Sequence, residues 1–169
     1  MPGLAVTHVE VYVFRRAPRG VQFLALRRAV GRKLAGVWQP VTGKIQLLET
    51  IAEAAWREVR EETGIRPRRM WRLERTSIHL DARGRSLVVL PLLAAEVGGR
   101  DAVRLSKEHS EWRFVSAAVA AKLYLWDSQR EALDAVRRQV LPGGARAHAL
   151  ELGTTGATRG THPRWVRRA

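Results

Sequence analysis

The chain contains no cysteine, so disulfides, thiolate zinc sites and thiol nucleophiles are all excluded. It has no run of ~18 apolar residues, so no transmembrane helix is expected. Met1 to Thr7 lacks the charged and apolar regions of a signal peptide, and the expected compartment is the cytoplasm. Acidic residues are scarce, 16 against 30 basic ones, giving a net charge of +14. Lysine is scarcer still: Lys33, Lys44, Lys107 and Lys122 stand among many arginines. Such a bias has two readings, a GC-rich genome or attraction to polyphosphates and nucleic acid. What remains is ordinary: 169 residues, 46% hydrophobic, suit one domain with a full core.

Periodicity divides the chain into strands and helices. Thr7 to Arg16 alternates around Val9, Val11 and Val13, as a half-buried strand does. Val21 to Arg28 follows a Pro18–Gly20 turn, and Val37 to Thr42 forms a short strand after a loop from Gly31 to Gly36. Met70 to Leu80, Ser86 to Val97 and Glu111 to Val115 read as further strands, the second apolar enough to be central. Ser116 to Leu123 and Asp127 to Val140 read as helices, with Asp127 or Ser128 able to cap the second. From Pro142 the composition shifts to Gly, Thr, Ala and Arg without periodicity. The expected division is a folded domain over 1–142 and a basic, disordered tail over 143–169. Strands flanked by helices indicate an α/β layered architecture.

The most informative helix starts at Thr50. Thr50 and Glu53 form a capping-box pair, and Gly64 suits the left-handed stop, so the helix spans about Ile51 to Thr63. At ~100° per residue, Ile51, Ala55 and Val59 share one side with Glu58 and Glu62, while Glu53, Trp56, Arg57 and Arg60 face outward. Glu61 lies at the border. Carboxylates on a packed face are costly, and Glu58 and Glu62 repel as an i, i+4 pair. A solvated acidic face with an Arg57–Glu61 pair does not explain this placement. A hard divalent cation does, since Mg²⁺ takes oxygen ligands and bridges carboxylates to substrate phosphate.

These residues stand in a pattern. Gly43, Glu49, Arg57, Glu58, Glu61, Glu62 and Gly64, with aliphatic Val59 and Ile65, match every fixed position of Gly-x5-Glu-x7-Arg-Glu-U-x-Glu-Glu-x-Gly-U, U being aliphatic. The segment thereby resembles the Nudix box. The resemblance runs from the first strand to about residue 140. It implies an α/β/α sandwich around a mixed sheet and Mg²⁺- or Mn²⁺-dependent hydrolysis of a diphosphate linkage. By that resemblance Glu58 and Glu62 are principal metal ligands, and Glu61 is a further ligand or activates water. Glu49 and Arg57 orient helix and loop, and a backbone carbonyl near Thr42 or Gly43 adds a ligand. The isopentenyl diphosphate isomerases share the fold but need a cysteine this chain lacks.

Two flanking segments narrow the resemblance. Trp38-Gln39-Pro40-Val41-Thr42-Gly43 and Glu108-His109-Ser110-Glu111-Trp112-Arg113-Phe114, leading to Asp127-Ser128-Gln129-Arg130, are similar to the dATP and dihydroneopterin triphosphate pyrophosphohydrolase branch. That similarity implies a metal-ligand or general-base role for Glu108 and a phosphate contact for Arg27 or, one residue on, Arg28. Lys44, Thr42 and Ser128 join the expected substrate contacts, and Trp38, His79 and Trp126 are candidates to touch a base. Leu48 stands where many members have Gly, and Gln46 where many have Glu. The implied reaction converts a (deoxy)nucleoside or pterin triphosphate to monophosphate and pyrophosphate. Dinucleoside polyphosphates, RNA 5′ ends and ADP-sugars are alternative substrates, and a non-catalytic nucleotide-binding module is the alternative of another class. The expected partner is a nucleotide or other diphosphate compound. Nucleic acid is a possible partner but is not required, no membrane is expected, and the oligomeric state is left open.

Overall fold

A computed structural model describes residues 3–153 of the chain. Nine strands form one mixed sheet: β1 (Gly3–Ala5), β2 (His8–Ala17), β3 (Gly20–Arg28), β4 (Trp38–Gln39), β5 (Val41–Lys44), β6 (Arg69–Leu80), β7 (Ser86–Val97), β8 (His109–Val115) and β9 (Glu151–Leu152). The order is β4-β3-β2-β7-β6-β9, with β1 added to β7, β5 to β2 and β8 to β3. β7 pairs in parallel with β1 and β2, and the remaining pairings are antiparallel.

Helices cover both faces. α1 (Ile51–Thr63) packs Ala54, Ala55 and Val59 on Val9, Val11, Val13, Leu24, Leu26 and Leu93. On the other face α2 (Ala117–Leu123) and α3 (Asp127–Gln139) cover Tyr12, Phe14, Phe23, Ala25 and Trp71. The expected α/β/α sandwich is therefore present. β2 departs from the reading of a half-buried strand: both faces are covered, and Glu10 is itself buried at 4% exposure. Glu10 is tolerated because Tyr12 Oη and Gln129 Nε2, the latter from α3, both donate to its carboxyl group.

The local signals around α1 act as the residues dictate. Thr50 Oγ1 accepts from the Glu53 backbone N–H, Glu53 Oε2 accepts from the Thr50 N–H, and Gly64 ends the helix at φ 71°. Leu48 holds φ 65°, a left-handed conformation that a glycine would adopt without strain. α3 begins differently from expectation. Its cap is Trp126, whose backbone N–H donates to Gln129 Oε1, so neither Asp127 nor Ser128 caps it.

The fold also runs past the expected boundary at 142. α4 (Gly144–Leu150) buries Ala147 and Leu150, and β9 then pairs with β6. Arg146 pairs with Glu74, and Arg69 with Glu151, tying this segment to β6. A seven-residue helix shows too little periodicity to stand out in a Gly- and Ala-rich stretch. Residues 154–169 of the expected tail lie outside the described residues. If α4 is part of the core, Leu150→Ala should cost about 2–3 kcal/mol in chemical denaturation. An unchanged midpoint would show that the segment is not packed as described.

Candidate active site

Glycine at position 43 allows the closest approach in the site. A Cβ built there would stand 1.8 Å from Glu58 Cδ and 2.2 Å from both carboxylate oxygens. The Glu58 side chain thus lies against the β5 backbone, which brings α1 and β5 together. Arg57 secures the loop between them. Its Nε and Nη2 donate to the two Glu49 oxygens at 2.7 and 2.9 Å, and Nη2 also donates to the Lys44 carbonyl at 2.7 Å. Its Nη1 donates to Glu58 Oε1 at 2.6 Å and Glu61 Oε2 at 3.0 Å. Arg57 was expected to face outward, yet its side chain is only 14% exposed because these five acceptors draw it inward. Hydrogen bonding from Arg57 holds the Glu49 carboxyl below its ordinary range.

Glu62 is the most buried member, with a side chain 5% exposed. Burial, then repulsion from Glu58 and Glu108, pushes its carboxyl up to about 9 against a small opposing hydrogen bond from the Thr42 backbone. Glu58 is raised too, chiefly by burial, while Arg57 opposes the rise. Glu61 is the exposed member at 53%.

Glu108 reaches this group through the backbone. The Thr63 and Glu62 carbonyls at the end of α1 accept from the N–H groups of Arg104 and Ser106, and the Glu108 carbonyl accepts from Ala29. These bonds satisfy helix-end acceptors and fix the 104–108 segment beside α1. Its charge acts on both Glu58 and Glu62. A bulge then skips Ser110, so that Arg27 pairs with Glu111 and Arg28 with His109. His109 is buried, and desolvation followed by the nearby Arg28 charge drops its imidazole to about 4.

The bulge bears on the Arg27 and Arg28 alternatives. Arg28 is the one whose charge acts on Glu62. Arg27 instead donates to Glu111 and to the Gly36 carbonyl. The other expected contacts are dispersed. Trp38 lies under the Arg113 guanidinium at 4.8 Å, and Lys44 stands near His8, where the charge of His79 is also felt. Trp126 is 54% exposed. Ser128 lines a cavity of about 210 Å³ between α3 and the Arg75–Ile78 segment of β6, with Leu92 at its base. Leu92 is the cross-strand neighbour of Glu10, which places the buried Glu10–Gln129 pair beside that cavity. Glu10, Gln39, His109 and Gln129 went unassigned from the sequence, where Gln39, His109 and Gln129 carried signal only as parts of longer segments.

Among the described residues no three acidic or histidine groups already converge at metal-ligand distance. The residues nevertheless fit a hard cation. Glu62 is buried beside the charge of Glu58, Glu58 fills the cradle at Gly43, and Glu108 is near enough for its charge to act on both. Arg57 supplies positive charge to Glu58 in the arrangement described.

Fold and site together define an α/β/α domain with an acidic helix and loop at the sheet. The chain belongs to the NUDIX family: the model of the NUDIX domain matches residues 6–136. It is similar to a Listeria monocytogenes protein assigned to the NUDIX hydrolases, with 30% identity over 80% of this chain and 94% of that one, TM-score 0.66. An Ap4A hydrolase of C. elegans shares the fold at 23% identity, 79% and 96% coverage and TM-score 0.67. So does the dihydroneopterin triphosphate pyrophosphohydrolase of E. coli, at 22% identity, 75% and 91% coverage and TM-score 0.61.

Gly43→Ala should leave the fold intact but displace Glu58. Misplacement on the 1 Å scale lowers turnover roughly 100-fold, and full turnover in steady-state kinetics would contradict the close approach. The raised Glu62 carboxyl also sets a pH dependence. The folded state holds its proton more tightly than the unfolded chain, so stability present at acid pH is lost as pH rises toward about 9. His109 titrates well below this range. In chelator, the melting temperature of the parent should fall between about pH 7 and 9, and that of Glu62→Gln should fall less. Parallel profiles would contradict the assignment.

Proposed function

We propose that this chain is a pyrophosphohydrolase that converts a (deoxy)nucleoside or pterin triphosphate to monophosphate and pyrophosphate. The observation that carries the reading is Glu58 seated against Gly43 beside the buried Glu62, with the charge of Glu108 acting on both carboxylates and that of Arg28 on Glu62. Glu58 and Glu62 would hold Mg²⁺ or Mn²⁺, with Glu61 or Glu108 as a further ligand. When bound, such an ion would lower the pKa of water and offset charge on the leaving phosphates.

The remaining roles fall to the chain itself. Glu108 or Glu61 takes the proton of the attacking water. Arg28 stands on the phosphate side, where a fixed guanidinium stabilises charge that grows as the bridging bond breaks. Arg57 and Glu49 hold the loop so that the Glu58 oxygens stay beside Gly43. The cavity beside Ser128 offers room for a base, with Glu10 and Gln129 as buried polar groups behind it. Support for the triphosphate branch comes from the Trp38–Gly43 and Glu108–Phe114 segments.

A product screen with Mg²⁺ tests the reading across nucleoside and pterin triphosphates, dinucleoside polyphosphates, capped RNA and sugar nucleotides. Pyrophosphate released from a triphosphate is the expected outcome, with loss of at least about 100-fold in Glu62→Gln. Turnover confined to dinucleoside or sugar nucleotides would overturn the branch. Inactivity on every class would overturn hydrolysis itself.

A further inference from the structure

Two buried polar atoms face each other without hydrogen-bond partners: Glu62 Oε2 and His109 Nδ1, 4.0 Å apart. Unpaired buried groups are costly, and a pair of them aimed at one another points to an interaction that closes when one member shifts. The His109 side chain has no exposed surface, so water does not stand in as its partner from the outside. Closing the gap to ordinary hydrogen-bond length takes a movement of roughly 1 Å.

The far side of the imidazole decides which nitrogen carries the proton. Arg28 Nη1 lies 3.5 Å from Gln39 Oε1, and a guanidinium only donates, so it selects the oxygen of the Gln39 amide. The Gln39 amide nitrogen then faces His109 Nε2, at 3.4 Å. That nitrogen also only donates, so His109 Nε2 must accept. In a neutral imidazole the proton is left on Nδ1, aimed at Glu62. The bulge at Ser110 is what puts His109 in line with Arg28 and Gln39, since a regular ladder would pair Ser110 with Arg28.

We propose that Arg28, Gln39 and His109 form a one-way hydrogen-bond relay that locks His109 in its Nδ1–H tautomer and makes it the positioning residue for Glu62. This rests on the reading of Glu62 as a cation ligand. His109 occupies Oε2, so that Glu62 presents its other oxygen outward. An imidazole restricted to this tautomer also donates no proton from Nε2 and offers no lone pair toward the carboxylates. His109 itself touches no substrate, and its effect on the reaction passes through Glu62.

Two measurements test it. The first is the ¹⁵N–¹H long-range spectrum of histidine-labelled, metal-free protein at pH 8, with His109 identified by its loss in His109→Asn. Protonated Nδ1 with bare Nε2 is expected. A proton on Nε2, or on both nitrogens, overturns the relay. The tautomer is read on the parent protein, and the variant serves only to assign the signal. The second is Mn²⁺ affinity followed by electron paramagnetic resonance. His109→Leu should weaken it about 10- to 100-fold, as removal of a ligand's hydrogen-bond partner does. His109→Asn, whose amide N–H stands near the Nδ1 position, should recover most of that loss. Equal loss in both variants, or none in His109→Leu, overturns the proposal. Glu62→Gln separates the two readings: unchanged Mn²⁺ affinity there refutes Glu62 as a ligand, whatever the tautomer.

Discussion

Arg57 holds together charges that would otherwise drive one another apart. One guanidinium, mostly buried, meets Glu49, Glu58, Glu61 and the Lys44 carbonyl. Without it the loop over residues 44–49 would lose its tie to α1, and Glu58 would face Glu61 and Glu108 uncompensated. A charge of this kind, removed from water, persists only because every N–H it directs at the site finds an acceptor. The fold then has one remaining electrostatic debt. Glu62 lies beyond the reach of Arg57, and burial next to Glu58 and Glu108 leaves its carboxyl protonated at neutral pH. On the proposed reading a divalent cation would displace this proton, and the desolvation that raises the carboxyl would favour the ion.

The sheet explains why these groups meet. β2 and β5 bring Gly43 beneath α1, and the end of β3 brings Arg28 and the 104–109 segment to the helix terminus. Backbone bonds from Arg104 and Ser106 to the last α1 carbonyls satisfy a structural need of the helix. The same bonds deliver Glu108 and His109 to the carboxylates. Structure and chemistry are thus joined at one point, the C-terminal end of α1. The opposite face of the sheet carries the Ser128 cavity and the Glu10–Gln129 pair.

What could be read from the residues was local. The limits of α1, its Thr50–Glu53 box and its Gly64 stop each depend on neighbours within four residues, and all were legible. The inward aim of Glu58 and Glu62 followed from helical geometry alone. Groups set by distant partners were not legible. Glu10 looks like the polar member of an alternating strand, and its burial depends on Gln129, 119 residues away. Arg57 appears outward on a wheel because a wheel omits the loop that folds over it. That His109 rather than Ser110 lies opposite Arg28 turned on a single bulged residue, Ser110, which no periodicity reveals. Leu48 illustrates the reverse case: its departure from Gly was visible, and its φ of 65° shows the backbone kept the shape regardless.

The account stands or falls on whether the buried carboxylates of α1 gather around a cation. Anomalous diffraction from crystals soaked in Mn²⁺ measures this directly. The predicted result is an ion bound by oxygens of Glu58 and Glu62 beside Gly43, with Glu62 Oε2 turned to His109 Nδ1. An ion bound elsewhere, or carboxylates that keep their places with no ion between them, would contradict it.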